Sequence, residues 1–592
     1  MSVHLSIKEG NSVKKRKRIS LLLVLALLLT VLSACSSKSN DAGSSGSPTT
    51  SSANPETGAD GQNGEAAAGK NENAASDGPF SKYETPITMK STLATQGWAT
   101  FPAGETWDND NIWHKLIRET LGIDVKWAWQ VDGAQYFNKV NLTISSNDLP
   151  DVMMVNKQQL NQLVEADMVE DMTQAFDQYA MPFLKEQVKS SLLSAQKTAL
   201  YNGKLMAIPQ YAGDPRDSAL TLYIRTDWLA NVGLPEPKTL DELVQTADAF
   251  AKKDPDGDKK SDTYGLGLLP LYTGGGSLTG FLNGYHAYPA IWVPDSSGKL
   301  AYSSTLPEMK TALGRLQQMY KDGLLDKEFG TKDFNRLKED VIAEKVGMFY
   351  ATTSESATIL GEAMKKNPKA LWKALPLVSI DGQPARPSVP ITGGAFFVVK
   401  KGYTHPEAVL KIMNLFVTKV YGEDGAGKGA DSNYAWKDNG KYAVFPQSPI
   451  QAYVKDFNYV AVRDALKNND GSQLPENLKK TYDLVKSTDG TEVNEGKWQQ
   501  WWIYQTNVSP FEVRANYQKD PNFTIVDSFY GGSTKTMEEK MSTLFTMELE
   551  TFVKIIMNAA PLDDFDKFVA NWSKLGGEQI TKEVNEWYVK NK

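Results

Sequence analysis

From Ile87 to Val155 the chain alternates between two kinds of apolar spacing, and that alternation restricts the fold more than any other feature. Ile87 to Leu93 reads as a strand. Asn111 to Leu121 carries Ile112, Leu116, Ile117 and Leu121 at helical spacing, and Gly122 ends the run. Ile123, Val125, Trp127 and Trp129 then alternate with other residues as in a second strand. A helix over about Gln135–Ser146 leads into Asp148-Leu149-Pro150-Asp151-Val152-Met153-Met154-Val155. Strand, helix, strand, helix, strand predicts an α/β fold with a mainly parallel sheet flanked by helices. Sheets of that kind bind ligands in the crevice beyond the carboxyl ends of their strands.

With 592 residues the chain is too long for one core, so at least two lobes are expected. A crossover between them is legible at Tyr201–Leu229. Tyr201-Asn202-Gly203-Lys204 is a tight turn, and Leu205 to Ile208 is a short apolar run stopped by Pro209. Leu220 to Arg225 reads as a strand, and Thr226 is placed to cap a helix over Asp227-Trp228-Leu229-Ala230. Asn-Gly-Lys, then Pro209, then a strand ending in Arg-Thr-Asp-Trp-Leu resembles the crossover of the extracellular solute-binding proteins (family 1), the ligand-capturing subunits of ABC importers. Maltose-binding protein and the alginate-oligosaccharide-binding proteins are members. Asn147-Asp148-Leu149-Pro150-Asp151-Val152 is similar to the family's first-lobe motif, and Thr106-Trp107 through Gly122-Ile123 to its opening helix. Asp563 to Phe568, Trp572 to Glu578 and Asn585 to Tyr588 resemble the ending of its large Gram-positive lipoprotein branch.

The resemblance covers about residues 85–592 and implies a two-lobed, type II periplasmic-binding-protein-like fold with the ligand cleft between the lobes. Lobe 1 is expected over about 85–212 plus 395–420, and lobe 2 over about 213–394, with the C-terminal region shared. The polar stretch 421–497 reads as an irregular insertion.

The N-terminus predicts an address. Lys14-Lys15-Arg16-Lys17-Arg18 precedes an uncharged run, Ile19 to Leu32, too short to span a bilayer and suited to a signal peptide. Leu32-Ser33-Ala34-Cys35 resembles a bacterial lipobox, which makes Cys35, the sole cysteine, the lipidated first residue of the mature chain. Residues 1–34 are then the signal peptide. Residues 35–79 are the anchor and a Ser/Gly/Ala/Asn-rich tether unable to bury a core. This implies the outer face of the cell membrane. The mature chain carries 58 basic and 70 acidic residues, a net charge of −12, which argues against nucleic acid as a partner. A monomer is expected.

An acidic loop follows the first helix of lobe 2. Asp254, Asp256, Asp258 and Asp262 stand at positions 1, 3, 5 and 9 of a calcium loop, with the Lys260 carbonyl at position 7. Lys259 replaces the usual turn glycine and Gly265 the usual bidentate glutamate. A solvated acidic turn is the alternative; a similar loop in the large sugar-binding lipoproteins implies structural Ca²⁺.

Sugar rings stack on aromatic faces, so aromatics at ligand edges are the candidate binders. Trp98 and Trp107 follow the first strand. Tyr211, Asp214 and Arg216 lie in the crossover. Tyr272 and Trp292 flank a Gly-rich stretch, Tyr350 ends a strand, Trp436 lies in the insertion, Trp502 adjoins Trp501, and Tyr530 precedes Gly531-Gly532. No organic cofactor motif stands out. Gly422-Glu423-Asp424-Gly425-Ala426-Gly427-Lys428 has phosphate-loop spacing, but Gly429 follows where a hydroxyl would meet Mg²⁺. There is no His-Glu-x-x-His or Gly-x-Ser-x-Gly, and no enzyme is expected. The family reading implies capture of an oligosaccharide and its delivery to a membrane permease. Its rivals are a glycan-active hydrolase or lyase, and a peptide-binding or sensor lipoprotein.

Overall fold

Strand β1 (Ile87–Thr95) and strand β2 (Ile123–Asp132) lie parallel, with Ile87 opposite Ile123 and Thr95 opposite Asp132. The helix between them, Ile112–Leu121, starts where the Asn111 side chain accepts the amides of Trp113 and His114. It ends at Gly122, whose φ of 69° is the left-handed closure that glycine permits. The next helix, Tyr136–Ser145, leads to β3 (Val152–Val155) and the helix Lys157–Glu165. This is a computed structural model describing residues 78–591, apart from 109, 191–194, 213–214, 390–393, 426, 438–441, 455–457, 475, 489–496, 505–507 and 521–522. Cys35 and its flanking segments therefore lie outside the described residues, all of which fall in one unit, 71–592. Among the described residues no helix is long and apolar enough to cross a membrane.

The strand order is more mixed than strand–helix alternation predicts. β3 pairs antiparallel with Phe396–Val399, which also pairs antiparallel with Ile208–Pro209. These partners enter from distant parts of the chain, so the right-handed crossover that enforces parallel pairing does not apply to them. Pro209 is the last residue of its short strand, Ile208–Pro209, which lies at the sheet's edge, where a missing N–H is tolerated. The turn at Asn202-Gly203 is as expected: φ values of 50° and 79° close a hairpin between Leu200–Tyr201 and Lys204–Leu205.

In the second sheet Thr221–Arg225 is central, flanked antiparallel by Met348–Ala351 and Trp372–Leu375. Its alternate residues feed two cores. Leu222, Ile224, Met348 and Tyr350 join a cluster with Trp228, Phe250, Phe281 and Trp572, while Tyr223, Phe349 and Ala351 join Trp372, Trp498 and Trp502. Both faces are thus covered, which accounts for the unbroken apolar run. The helix after this strand begins at Thr226 itself with no side-chain cap; the Thr226 hydroxyl instead donates to the Leu371 carbonyl. The C-terminal helices Lys535–Ile556, Asp564–Trp572 and Glu578–Asn591 pack into the same cluster through Phe552, Phe568, Trp572 and Val584. A separate core holds Met89, Trp113, Val125, Val152 and Phe416 together.

The stretch 421–497 is irregular only in part: its described residues hold short elements up to Val454 and then two helices. Helices Asn458–Asn468 and Glu476–Ser487 share a small core of Val462, Ala465, Leu478 and Tyr482. Four buried side chains are too few to make a helical stripe stand out among polar residues.

Candidate ligand cleft and calcium loop

A cavity of about 410 Å³ opens where five chain segments meet. Asn156, Lys157 and Gln158 follow the carboxyl end of β3; Trp292 comes from the second sheet's side; Asp527 and Tyr530 come from the C-terminal segment. The first group sits where an α/β sheet presents its ligand edge. Asn156 and Gln159 form a capping box, each side chain bonded to the other's backbone N–H, so helix Lys157–Glu165 starts at the cavity wall. Gln158 donates to Glu538 Oε1 at 2.8 Å, and Asn161 donates to the Gly531 carbonyl at 3.0 Å. These two bonds join the first sheet's helix to the segment carrying Tyr530.

Asp527 receives the backbone N–H groups of Trp292 and Phe529, each at 3.0 Å, and burial pushes its carboxyl up to about 7. Trp292 is 3% exposed and packed on Tyr302 and Trp572, and it lines the cavity. Phe529 and Tyr530 set their rings perpendicular to Trp587, at 5.0 and 4.6 Å. Gly531 is required there, because a Cβ would lie 2.5 Å from Trp587 Nε1. Lys157 and Asp527 were not among the aromatics singled out from sequence. The signal for Lys157 was its place two residues past a strand's carboxyl end.

A smaller cavity of about 140 Å³ lies at the end of β1, bounded by Thr92, Gln96, Tyr136, Gln210 of the crossover and Gln451 of the inserted region. Trp98, two residues beyond Gln96, is 57% exposed and meets Phe445 at 6.1 Å. Trp107 is half-buried, edge-on to Phe101 at 4.7 Å, and its carbonyl accepts the Trp127 indole N–H.

Other expected binders sit elsewhere. Tyr272, Tyr350 and Trp502 are core residues, because the sheet and helices that carry them are covered on both faces. Tyr272 packs on Phe545 and Phe552, and Trp502 on Trp498 and Tyr223. Trp502 also lies in a helix, Lys497–Tyr504, not an extended segment. Arg216 is buried with its guanidinium on the Gln518 carbonyl, away from both cavities. Tyr211 and Trp436 lie in short strands, but their side chains, and all of Asp214, are outside the described residues. Lys428 pairs with Glu423, so the phosphate-like loop turns its cation onto its own acid.

In the acidic loop the carboxylates of Asp254, Asp256 and Asp258 come within 4.8 Å of one another. Burial and the two neighbouring carboxylates hold the Asp256 carboxyl above its ordinary range. Lys259 takes the left-handed turn at φ 64° that glycine normally provides, and its N–H bonds both Asp254 oxygens. The side chain of Lys260 reaches Asp258 at 2.5 Å. Asp262 stands outside the group of three. Three converging carboxylates fit a hard divalent cation held by oxygen.

The fold and the interlobe cavity define a two-lobed solute receptor. Residues 108–423 match the bacterial extracellular solute-binding protein family, and the chain belongs to that family. It is 24% identical over 496 residues to lipoprotein LipO of Bacillus subtilis (strain 168), covering 81% of this chain and 89% of LipO. It is 24% identical over 482 residues to the polygalacturonan/rhamnogalacturonan-binding protein YtcQ of the same organism, covering 80% and 87%. The fold matches that of an HMO binding ABC-transporter associated solute-binding protein of Bifidobacterium longum infantis with a TM-score of 0.58, at 17% identity, over 85% of this chain and 99% of that one.

Proposed function

We propose that this protein captures an oligosaccharide between its two lobes and delivers it, chemically unchanged, to the permease of an ABC importer. The observation that carries the reading is the cavity itself: two lobes and the C-terminal segment each contribute to it, with aromatic rings beside amide and carboxyl groups. That is the lining a sugar needs, apolar faces stacked on rings and hydroxyls met by polar side chains. Tyr530 and Trp292 are the aromatics assigned to it, and the exposed Trp98 is assigned to the mouth of the smaller cavity at the end of β1. Closure follows from the geometry, because only a ligand in the cleft touches both lobes at once and so favours their approach. The lobe limits are about 85–212 plus 395–420 and about 213–394, with 421–497 inserted. Lipidation at Cys35 tethers the receptor, as a monomer, to the outer face of the membrane. No residue is assigned a catalytic role.

Thermal unfolding of the full chain against a panel of oligosaccharides tests this. A cargo at a hundred times its dissociation constant adds about 2.7 kcal/mol of stability. At least one glycan should raise the midpoint and be recovered intact. Its shortening by the protein would instead establish a glycan-active enzyme.

Ca²⁺ is assigned to the acidic loop, held by Asp254, Asp256 and Asp258, with the Lys260 carbonyl and Asp262 completing the set. The ion would neutralise the crowded carboxylates and fix the loop; it has no part in cargo chemistry. Removing calcium with a chelator should lower the unfolding midpoint, by about 2.7 kcal/mol if the ion was present at a hundred times its dissociation constant. The double variant Asp254→Ala/Asp258→Ala should show no such response. An unchanged midpoint in the chelated native chain would leave the loop a solvated turn.

A further inference from the structure

We propose that Lys157 anchors a carboxylate of the cargo, so that the interlobe cavity selects oligosaccharides containing uronic acid. This rests on the reading of the protein as an oligosaccharide receptor and specifies its substrate class. Lys157 lines the cavity at the first turn of helix Lys157–Glu165. Its ammonium is positioned by neutral groups: Nζ donates to the Thr198 carbonyl at 2.6 Å and to the Tyr201 hydroxyl at 2.8 Å, and lies 4.5 Å from the centre of the Tyr201 ring. Tyr201 is held in turn by Asn161, whose amide reaches the Gly531 carbonyl. The stem is packed where a Cβ on Gly532 would come within 3.2 Å of Lys157 Cγ. Among the described residues no carboxylate lies within 4.0 Å of Nζ.

A half-buried ammonium in a socket of neutral oxygens is a charge awaiting a counterion. Burial accordingly lowers its pKa to about 8, leaving it mostly protonated at neutral pH. The cavity supplies little opposing charge. Asp527, the carboxyl that lines it, accepts two backbone N–H groups on Oδ1 and is shifted towards its neutral form. Glu538, which is not a lining residue, accepts the Gln158 amide. Two of the three donors on Nζ have partners, which leaves one for the cargo. A sugar carboxylate placed there forms a charge-assisted hydrogen bond that a hydroxyl cannot match.

The test is calorimetric titration of the full chain with galacturonate and mannuronate oligomers, and with the methyl esters of the same oligomers. Esterification removes the charge and keeps the rings. The acid form should bind about 10- to 100-fold more tightly than its ester. Lys157→Met should abolish that preference, and Lys157→Arg should retain it. An unfolding scan of each variant separates lost recognition from lost folding. Esters or neutral glycans binding as well as the acids would overturn this inference and leave the oligosaccharide reading standing. An absence of binding to any glycan in the wider panel would overturn both.

Discussion

Replacing Glu548 with glutamine is expected to stabilise the protein by roughly 3 kcal/mol at pH 8 and to change little at pH 4. Glu548 lies on helix Lys535–Ile556 and is fully buried. Its Oε2 accepts the Tyr302 hydroxyl at 2.9 Å, and the hydroxyls of Tyr272 and Ser304 face the same carboxyl. No cation is among these neighbours, so burial dominates and pushes the carboxyl up to about 7. The sign is opposite to that of a salt-bridged acid. Below the unfolded value, near 4.5, both states hold the proton and the group contributes nothing. As the pH rises from there to about 7, the unfolded chain gives up its proton first, so stability falls. Above 7 the full penalty is present. Asp527 titrates in the same direction for the same reason. Glutamine is neutral throughout, and its amide can donate to the Tyr272 hydroxyl, one of the groups that face the carboxyl. Denaturant unfolding of both proteins at pH 4, 6 and 8 measures the difference. A gap that stays constant with pH would mean that Glu548 titrates alike in the folded and the unfolded chain.

The sequence made the elements legible where one periodicity ran unopposed. The helix Ile112–Leu121 appears between Asn111 and Gly122 as read, because cap, stripe and stop agree. The hairpin at Asn202-Gly203 appears for the same reason. What periodicity does not carry is partnership. Nothing local to β3 announces that Phe396–Val399 will pair with it from beyond residue 390, and so the mixed sheet was not legible. The site divides along the same line. Tyr530 and Trp292 do come to the cavity, since a Gly-Gly turn and a Gly-rich flank mark places where backbone and rings meet closely. Tyr272, Tyr350 and Trp502 have the same composition cues but are covered by helices that belong to other parts of the chain. An aromatic at a strand end is a ligand platform only if nothing packs over it, and that is a tertiary fact. Lys157 shows the converse: its place two residues past a strand's carboxyl end is a cue shared by many residues, and the neutral socket around it is what sets it apart.

Tyr350 gives the sharpest separation of core from cleft. As a strand-end residue it reads as a sugar contact, yet its ring is 1% exposed and shares a core with Leu222, Phe281 and Trp572. The closest approach is to Gly280, where an added Cβ would lie 2.3 Å from the ring. Tyr350→Ala should therefore destabilise the protein by about 4 kcal/mol, the transfer of a large ring plus the void it leaves. Cargo affinity of the folded fraction should be unchanged. Gly280→Ala alone should cost about 1–3 kcal/mol by overpacking against the same ring. The two changes fit each other, because the new methyl enters the space the ring vacates. The double variant Gly280→Ala/Tyr350→Ala should accordingly be more stable than the sum of the single losses, by about 1 kcal/mol or more. Chemical unfolding gives the energies and titration with cargo gives the affinity. A Tyr350→Ala protein with native stability and at least tenfold weaker binding would return this residue to the cleft. It would also mean that the packed arrangement of Gly280 against Tyr350 opens in the state that binds.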